Sequence, residues 1–306
     1  MISVIIMTYN PKRHIFEQTL NALKEQDLPY NEWELILVDN ASKIPVRDEY
    51  NLDWHPNGII VEEPELGCVN ARIKAVQIAK SDWYVFVDDD NILSYNYLSN
   101  AKRIIREKPY LGCFGGNQVG RFFEKQPSPE VIKYLEMIAV RRIDNDRISN
   151  MYIWETTPAS AGAVIRAEVV KRFVYILQNE KSRFFLGRRG TSLMSSEDID
   201  MAYVSIDLGY MNGLMSELSL EHCIPASRLE HKYLINLRYY NRYSTYVLDY
   251  IRFNRKPKLN NLLYFIRQTN LLLKRKIFDF KMNKSERKAI KDFYSDLSKN
   301  KFSIGS

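Results

Sequence analysis

Four nearly continuous apolar, β-prone runs, at residues 3–7, 33–38, 58–61 and 83–87, each end in a polar turn. Runs of that length without strict polar alternation suit strands covered on both faces. Helical patterns follow the first run at 16–25, precede the fourth at 69–79 and follow it at 97–107. Strand and helix in alternation is the order of βαβ units, so the chain is expected to form an α/β, Rossmann-like fold with a mostly parallel central sheet flanked by helices.

Composition narrows the class. With 306 residues, 45% hydrophobic and 12% aromatic, the chain buries a sizeable core, which excludes a disordered protein. The opening MISVIIMTYN lacks the basic region and small-residue cleavage site of a signal peptide and reads as a first strand. Cys68, Cys113 and Cys223 are odd in number and lack metal-site spacing, which fits reduced thiols and a cytoplasmic setting. No apolar run reaches the roughly 18 residues of a membrane span. Charge divides the chain after His231. Residues 232–306 carry 18 Lys and Arg against 5 Asp and Glu, while residues 1–231 carry 26 against 32. A catalytic domain over 1–231, with halves 1–92 and 93–231, and a basic helical extension over 232–306 are expected.

Ligands of parallel α/β sheets bind at the carboxyl edge of the strands. Three polar clusters fall there: Thr8-Tyr9-Asn10, Asp39-Asn40-Ala41-Ser42 and Asp88-Asp89-Asp90-Asn91. Three adjacent carboxylates repel one another and are best neutralised by a divalent cation. Mg²⁺ and Mn²⁺ take one or two carboxylates and leave the rest of their shell to substrate phosphates. An acidic turn capping the next helix stays open as the plainer account of the triplet.

In order and spacing, VIIMTYN, LILVDNAS, ELGCVNAR and YVFVDDDN resemble the nucleotide-sugar-binding half of a GT-A-fold glycosyltransferase of family 2. ASAGAVIRAEVV (159–170), SSEDIDMAYVSIDLGY (195–210) and LEHCIPASRL (220–229) extend the resemblance to about residue 231. One departure is Ile73, where family members commonly carry Asn. The resemblance implies that Thr8, Tyr9, Asn10 and Asp39 hold the nucleobase, and that Gly67 and Arg72 serve the diphosphate or orient Asp88. Asp88 and Asp89 join the donor-binding set, Asp90 and His222 bind the metal, Mn²⁺ or Mg²⁺, and Arg228 neutralises the leaving diphosphate. Asp198 is the implied base of an inverting transfer. The implied donor is a nucleotide-diphosphate sugar, with a UDP-sugar favoured, and the implied acceptor a glycan or lipid-linked saccharide in surface-polysaccharide assembly. Along an extended chain Asp88 and Asp90 would share a face that Asp89 does not. Each residue also has a plain structural role open to it: turn, ion pair, helix cap or packed histidine.

Rival functions differ by feature. A sugar-nucleotide pyrophosphorylase would carry a glycine-rich loop after the first strand, and MTYNPKRH has no glycine. A catalytically silent scaffold or sugar-binding protein would be expected to lack the carboxylates. A nucleotide-sugar hydrolase stays open and would release nucleotide diphosphate without acceptor. Trp154, Tyr152 and FFLGRRGT (184–191) are candidates for acceptor contacts. The extension places apolar and aromatic residues at helical spacing among Lys and Arg, so it either lies on an anionic membrane surface or packs on the catalytic domain or a second subunit. A homo-oligomer stays open. No nucleic-acid-binding motif is present.

Overall fold

The computed structural model describes residues 1–188 and 192–302. It divides into two compact units, one of Met1–Arg121, Ala139–Ile176 and Asp198–Ile224, the other of Phe122–Ile138, Leu177–Glu197 and Pro225–Ser306. The basic extension thus shares its unit with two earlier segments. Of the FFLGRRGT stretch, residues 189–191 lie outside the described residues.

The first unit is built on β1 (Ile2–Thr8), β2 (Trp33–Asp39), β3 (Gly58–Glu62), β4 (Trp83–Asp88), β5 (Asn91–Leu93), β6 (Leu111–Phe122), β7 (Arg147–Ser149), β8 (Val164–Arg166) and β9 (Met211–Ile224). They form one sheet in the order β3-β2-β1-β4-β8-β6-β9-β5, with β7 paired to β9. The four strands legible as apolar runs are parallel neighbours, whereas β8 pairs antiparallel with β4 and β6, and β9 antiparallel with β5 and β7. The helices are α1 (Arg13–Lys24), α2 (Val46–Glu49), α3 (Cys68–Ile78), α4 (Tyr97–Glu107), α5 (Pro129–Ile132), α6 (Ala167–Asn179), α7 (Glu197–Asp207), α8 (His231–Phe253), α9 (Asn261–Leu273) and α10 (Ile277–Ser298).

Every residue of β2 is buried, and on one face of the sheet Val4, Ile6, Leu35, Leu37, Val85 and Val87 form a core with Phe16, Leu23, Leu98 and Ile104. Near the start of β2 the Glu34 carboxylate is buried and accepts from Ser3 Oγ at 2.5 Å and from the Lys80 amide at 2.7 Å. Register sets the site. Thr8 stands beside Asp39, Met7 beside Asp88 and Asp39 beside Glu62, so the polar clusters that follow three apolar runs emerge along one edge.

In the second unit α8 and α10 pack along an apolar seam of Leu237, Val247, Leu248, Ala289 and Phe293. Tyr239 and Tyr243 tie the pair by donating to Asp292 and Asp296. Among the described residues, no helix is long and apolar enough to cross a membrane.

Candidate active site

The loops after β1 and β2 are laced together. The Asn10 amide donates to Ser42 Oγ, and the Lys43 amide donates to Asn10 Oδ1, both at 2.8 Å. Asn10 and Ala41 are both left-handed, a conformation disfavoured for a residue with a Cβ and maintained here by bonds that straddle Ala41. Asp39 is buried, and its two oxygens accept the amides of Ser42 at 3.0 Å and Val46 at 2.9 Å. Tyr9, at 48% exposure, presents its ring to solvent.

Asn40, to which the sequence pattern assigns no more than a place in the polar turn, carries the next loop. Its amide nitrogen donates to the carbonyls of Glu63 (3.1 Å) and Glu65 (2.7 Å), and its oxygen accepts the Gly67 amide at 2.7 Å. Gly67, at φ 148°, lies in a region that side chains rarely adopt and leads straight into α3. From α3, Arg72 reaches inward. It is buried to 2% exposure with its guanidinium over the Phe86 ring, 5.4 Å from the centroid.

The acidic triplet does not run extended. The strand ends at Asp88, and Asp89 and Asp90 turn the chain into β5, so the alternation expected of three residues in line does not apply. Asp89 Oδ2 accepts Thr8 Oγ1 at 2.5 Å and the Asp89 carbonyl accepts Thr19 Oγ1 at 3.2 Å. The Asp88 amide donates to Asn91 Oδ1 at 3.0 Å, while Asn91 Nδ2 donates to Asp90 Oδ1 at 3.1 Å.

Pairing of β5 with β9 sets Asn91 opposite His222, which brings His222 Nε2 to 3.5 Å from Asp90 Oδ2. His222 Nδ1 faces the Ala139 carbonyl at 3.4 Å. A carbonyl only accepts, so a proton on Nδ1 answers it; in that tautomer the Nε2 lone pair faces the carboxylate, whereas a ring carrying both protons pairs with Asp90 directly. Two acceptors facing each other suit a cation between them. Among the described residues no cluster of three or more His, Cys, Asp or Glu could hold a metal ion alone. Two donors are what a Mg²⁺ or Mn²⁺ ion completed by substrate phosphate requires, and cis ligands at about 2.1 Å from such an ion stand about 3 Å apart. The residues present fit that group. Next door, burial first and then Asp90 push the Cys223 thiol up to about 12.

Asp198, in the first turn of α7, meets the small-residue loop. Its Oδ2 accepts the Ser160 amide at 3.4 Å, and its Oδ1 lies 2.9 Å from the Ile199 amide. That loop is anchored to β4. The Gly162 amide donates to the Phe86 carbonyl at 2.8 Å, the Phe86 amide to the Ala163 carbonyl at 2.9 Å, and the buried Tyr97 hydroxyl to the Gly162 carbonyl at 2.5 Å. Gly162 has φ 75°, and a Cβ there would stand 2.6 Å from Leu220 Cδ2. Arg228 belongs to the second unit, in the short 3₁₀ turn Ala226–Leu229.

A cleft of about 810 Å³ opens at the opposite, amino edge, around Met1, Asp82, Trp83, Lys102, Arg103 and Arg166. Three of its cations already have partners. Lys102 pairs with Glu32, Arg103 with Glu107 and Glu217, and Arg166 stacks on Trp83 and Tyr210.

This sheet, with its polar clusters gathered at the carboxyl edge, is a GT-A fold. A model described as Glycosyl transferase family 2 matches residues 3–173, more than half of the chain, and the chain belongs to that family. It is 31% identical over 108 residues to the poly(ribitol-phosphate) beta-N-acetylglucosaminyltransferase TarS of Staphylococcus aureus, covering 34% of this chain and 19% of that protein. It is 26% identical over 141 residues to a poly(ribitol-phosphate) beta-glucosyltransferase of Bacillus spizizenii, covering 42% of this chain and 22% of the relative. The matched part thus spans about a fifth of either relative. The crystal structure of S. aureus TarS 1-349 superposes with a TM-score of 0.52 at 16% identity, covering 96% of this chain and 91% of that one. The mannosyltransferase PcManGT of Pyrobaculum calidifontis gives 0.53 at 19% identity, covering 100% and 76%.

Proposed function

We propose that the chain is an inverting glycosyltransferase that moves a sugar from a nucleotide-diphosphate sugar, with a UDP-sugar favoured, to a hydroxyl of a glycan or lipid-linked saccharide in surface-polysaccharide assembly. The observation that carries this reading is the 3.5 Å approach of Asp90 to His222 on the strand edge that also bears Thr8, Asp39 and Asp88. Asp90 and His222 would hold Mn²⁺ or Mg²⁺, which would supply Lewis-acid stabilisation of the departing diphosphate.

The chain's own residues do the rest. Tyr9 offers a face to the nucleobase, and Asp39, whose oxygens each keep a lone pair beyond their backbone bond, accepts from a base N–H. Thr8 holds Asp89 in its turn. Gly67 leaves backbone open to the diphosphate, Arg72 orients Asp88 from beneath, and Asp88 meets the ribose. Asp198 takes the proton of the attacking hydroxyl on the acceptor side. Arg228 is given the diphosphate-neutralising role by its motif alone. Neighbours lend support: TarS structures hold UDP and UDP-GlcNAc, and PcManGT holds GDP-Man with Mn²⁺. The poly(ribitol-phosphate) acceptors in the relatives' names favour a cell-surface polymer.

Calorimetric titration with UDP, GDP and dTDP, each with and without Mn²⁺, tests the reading. One nucleotide is expected to bind in a Mn²⁺-dependent manner and to lose at least about tenfold in affinity in Asp90→Ala. Asp198→Asn should keep that binding and lose about 10²- to 10⁴-fold in turnover. Binding of no nucleotide, or binding indifferent to both Mn²⁺ and Asp90, would refute it.

A further inference from the structure

Helix α9 is built inside out. Gln268 is its buried residue, with Tyr264 and Leu271 half-buried on the same side, and Gln268 donates to the Tyr264 hydroxyl at 2.8 Å. Leu262, Leu263, Phe265, Ile266, Leu272 and Leu273 are exposed, by 48% to 80%. Spaced i, i+4 and i+11, Leu262, Ile266 and Leu273 form one stripe away from the packed side, flanked by Phe265 and Leu263. Single exposed apolar residues are ordinary on a protein surface; six on one helix make a patch that needs a partner.

Charge says which partner. From residue 250 to residue 278 there are eight cations, Arg252, Arg255, Lys256, Lys258, Arg267, Lys274, Arg275 and Lys276, and no Asp or Glu. Lys256 and Lys258 stand exposed before α9, and Lys274 to Lys276 exposed after it. A second copy docked by the same face would bring like charges together with no acid to answer them. Nucleic acid would meet the cations but leave the leucines and isoleucine wet. An anionic lipid surface meets both, with phosphate headgroups for the cations and acyl chains for the stripe.

We propose that α9, bracketed by Lys256, Lys258 and Lys274–Arg275–Lys276, lies in the plane of an anionic phospholipid bilayer and holds the enzyme on it. Helices α8 and α10, whose apolar faces pack on each other, take no part in that contact. The donor site does not enter this argument, so the two readings fail separately.

Co-sedimentation of the full chain with phosphatidylcholine vesicles, with and without phosphatidylglycerol, tests it. The expected result is at least about tenfold stronger partitioning onto the anionic vesicles, weakening as salt rises. The triple substitution Leu262→Gln, Ile266→Gln, Leu273→Gln should lower it at least tenfold. Lys274→Gln, Arg275→Gln, Lys276→Gln should remove most of its salt dependence. All six side chains are exposed, so unchanged thermal unfolding and nucleotide binding show that the fold stands. Equal partitioning onto neutral and anionic vesicles, or full binding by the first triple variant, overturns the proposal. So does a dimer in sedimentation velocity that the first triple variant dissolves while no vesicle binds.

Discussion

Asn40→Asp is the sharpest perturbation of the donor side, because it changes one NH₂ group to oxygen and almost nothing else. In the native chain that NH₂ donates to the Glu63 and Glu65 carbonyls, and the side-chain oxygen accepts the Gly67 amide. The aspartate keeps the Gly67 bond and strengthens it by its charge. It loses both donors and sets a carboxylate oxygen against two carbonyl oxygens, at a residue only 5% exposed. Two lost bonds at about 1 kcal/mol each, plus the desolvation of a buried carboxylate, give a loss of about 2–4 kcal/mol. At roughly 2–4 °C per kcal/mol for a unit of this size, thermal unfolding of the first unit should fall by about 5–15 °C. Asn40→Ala loses all three bonds without the repulsion and should fall no further than Asn40→Asp. Because Gly67 caps the approach to α3, nucleotide affinity should weaken in both variants at temperatures where each is folded. An Asn40→Asp protein that unfolds within about 1 °C of the native chain would refute the assignment of Asn40 as the donor that ties β2 to the Gly67 loop.

Tyr97→Phe removes the hydroxyl that donates to the Gly162 carbonyl and leaves that carbonyl facing an apolar ring. Stability should drop by about 1–3 kcal/mol, read by thermal unfolding, with a larger fall in turnover than in nucleotide affinity because Ser160, on that loop, donates to Asp198. His55 supplies a pH test. It sits 4.1 Å from the Trp33 ring, its Nδ1 accepts the Asn57 amide at 3.1 Å, and its buried Nε2 has no hydrogen-bond partner. Burial lowers its pKa from 6.5 to about 4. Between those values the unfolded chain binds the proton and the folded chain does not, so stability is full above about pH 6.5 and declines as pH falls toward 4. The contribution is on the order of 3 kcal/mol, and His55→Phe should flatten that part of the stability profile relative to the native chain.

What was legible in the sequence is what local pattern encodes. Apolar runs ending in polar turns located β1 to β4 and their shared edge, because a strand buried on both faces has little choice of composition. The antiparallel half was not legible, since β8 and β5 are three residues each and their pairing partners lie far along the chain. Pattern also misjudged the acidic triplet, because three carboxylates in a row look alike whether the chain runs on or turns. In α9 the amphipathic spacing is plain, yet spacing does not say whether the apolar or the polar face packs inward; Gln268 inside and Leu273 outside had to be seen. The same holds for backbone conformation. Asn10, Ala41 and Ala139 are left-handed without being glycine. Two of them sit in the laced loops of the donor edge, and the third presents the carbonyl that orients His222. An isolated alanine in that conformation loses roughly 1–2 kcal/mol, so each persists because its neighbours over-determine it. Asn254, Arg275 and Asn300 are left-handed too, but they follow helix ends, where that conformation closes the last turn; at the sheet edge it coincides with carboxylates and a histidine, which supports the proposed site.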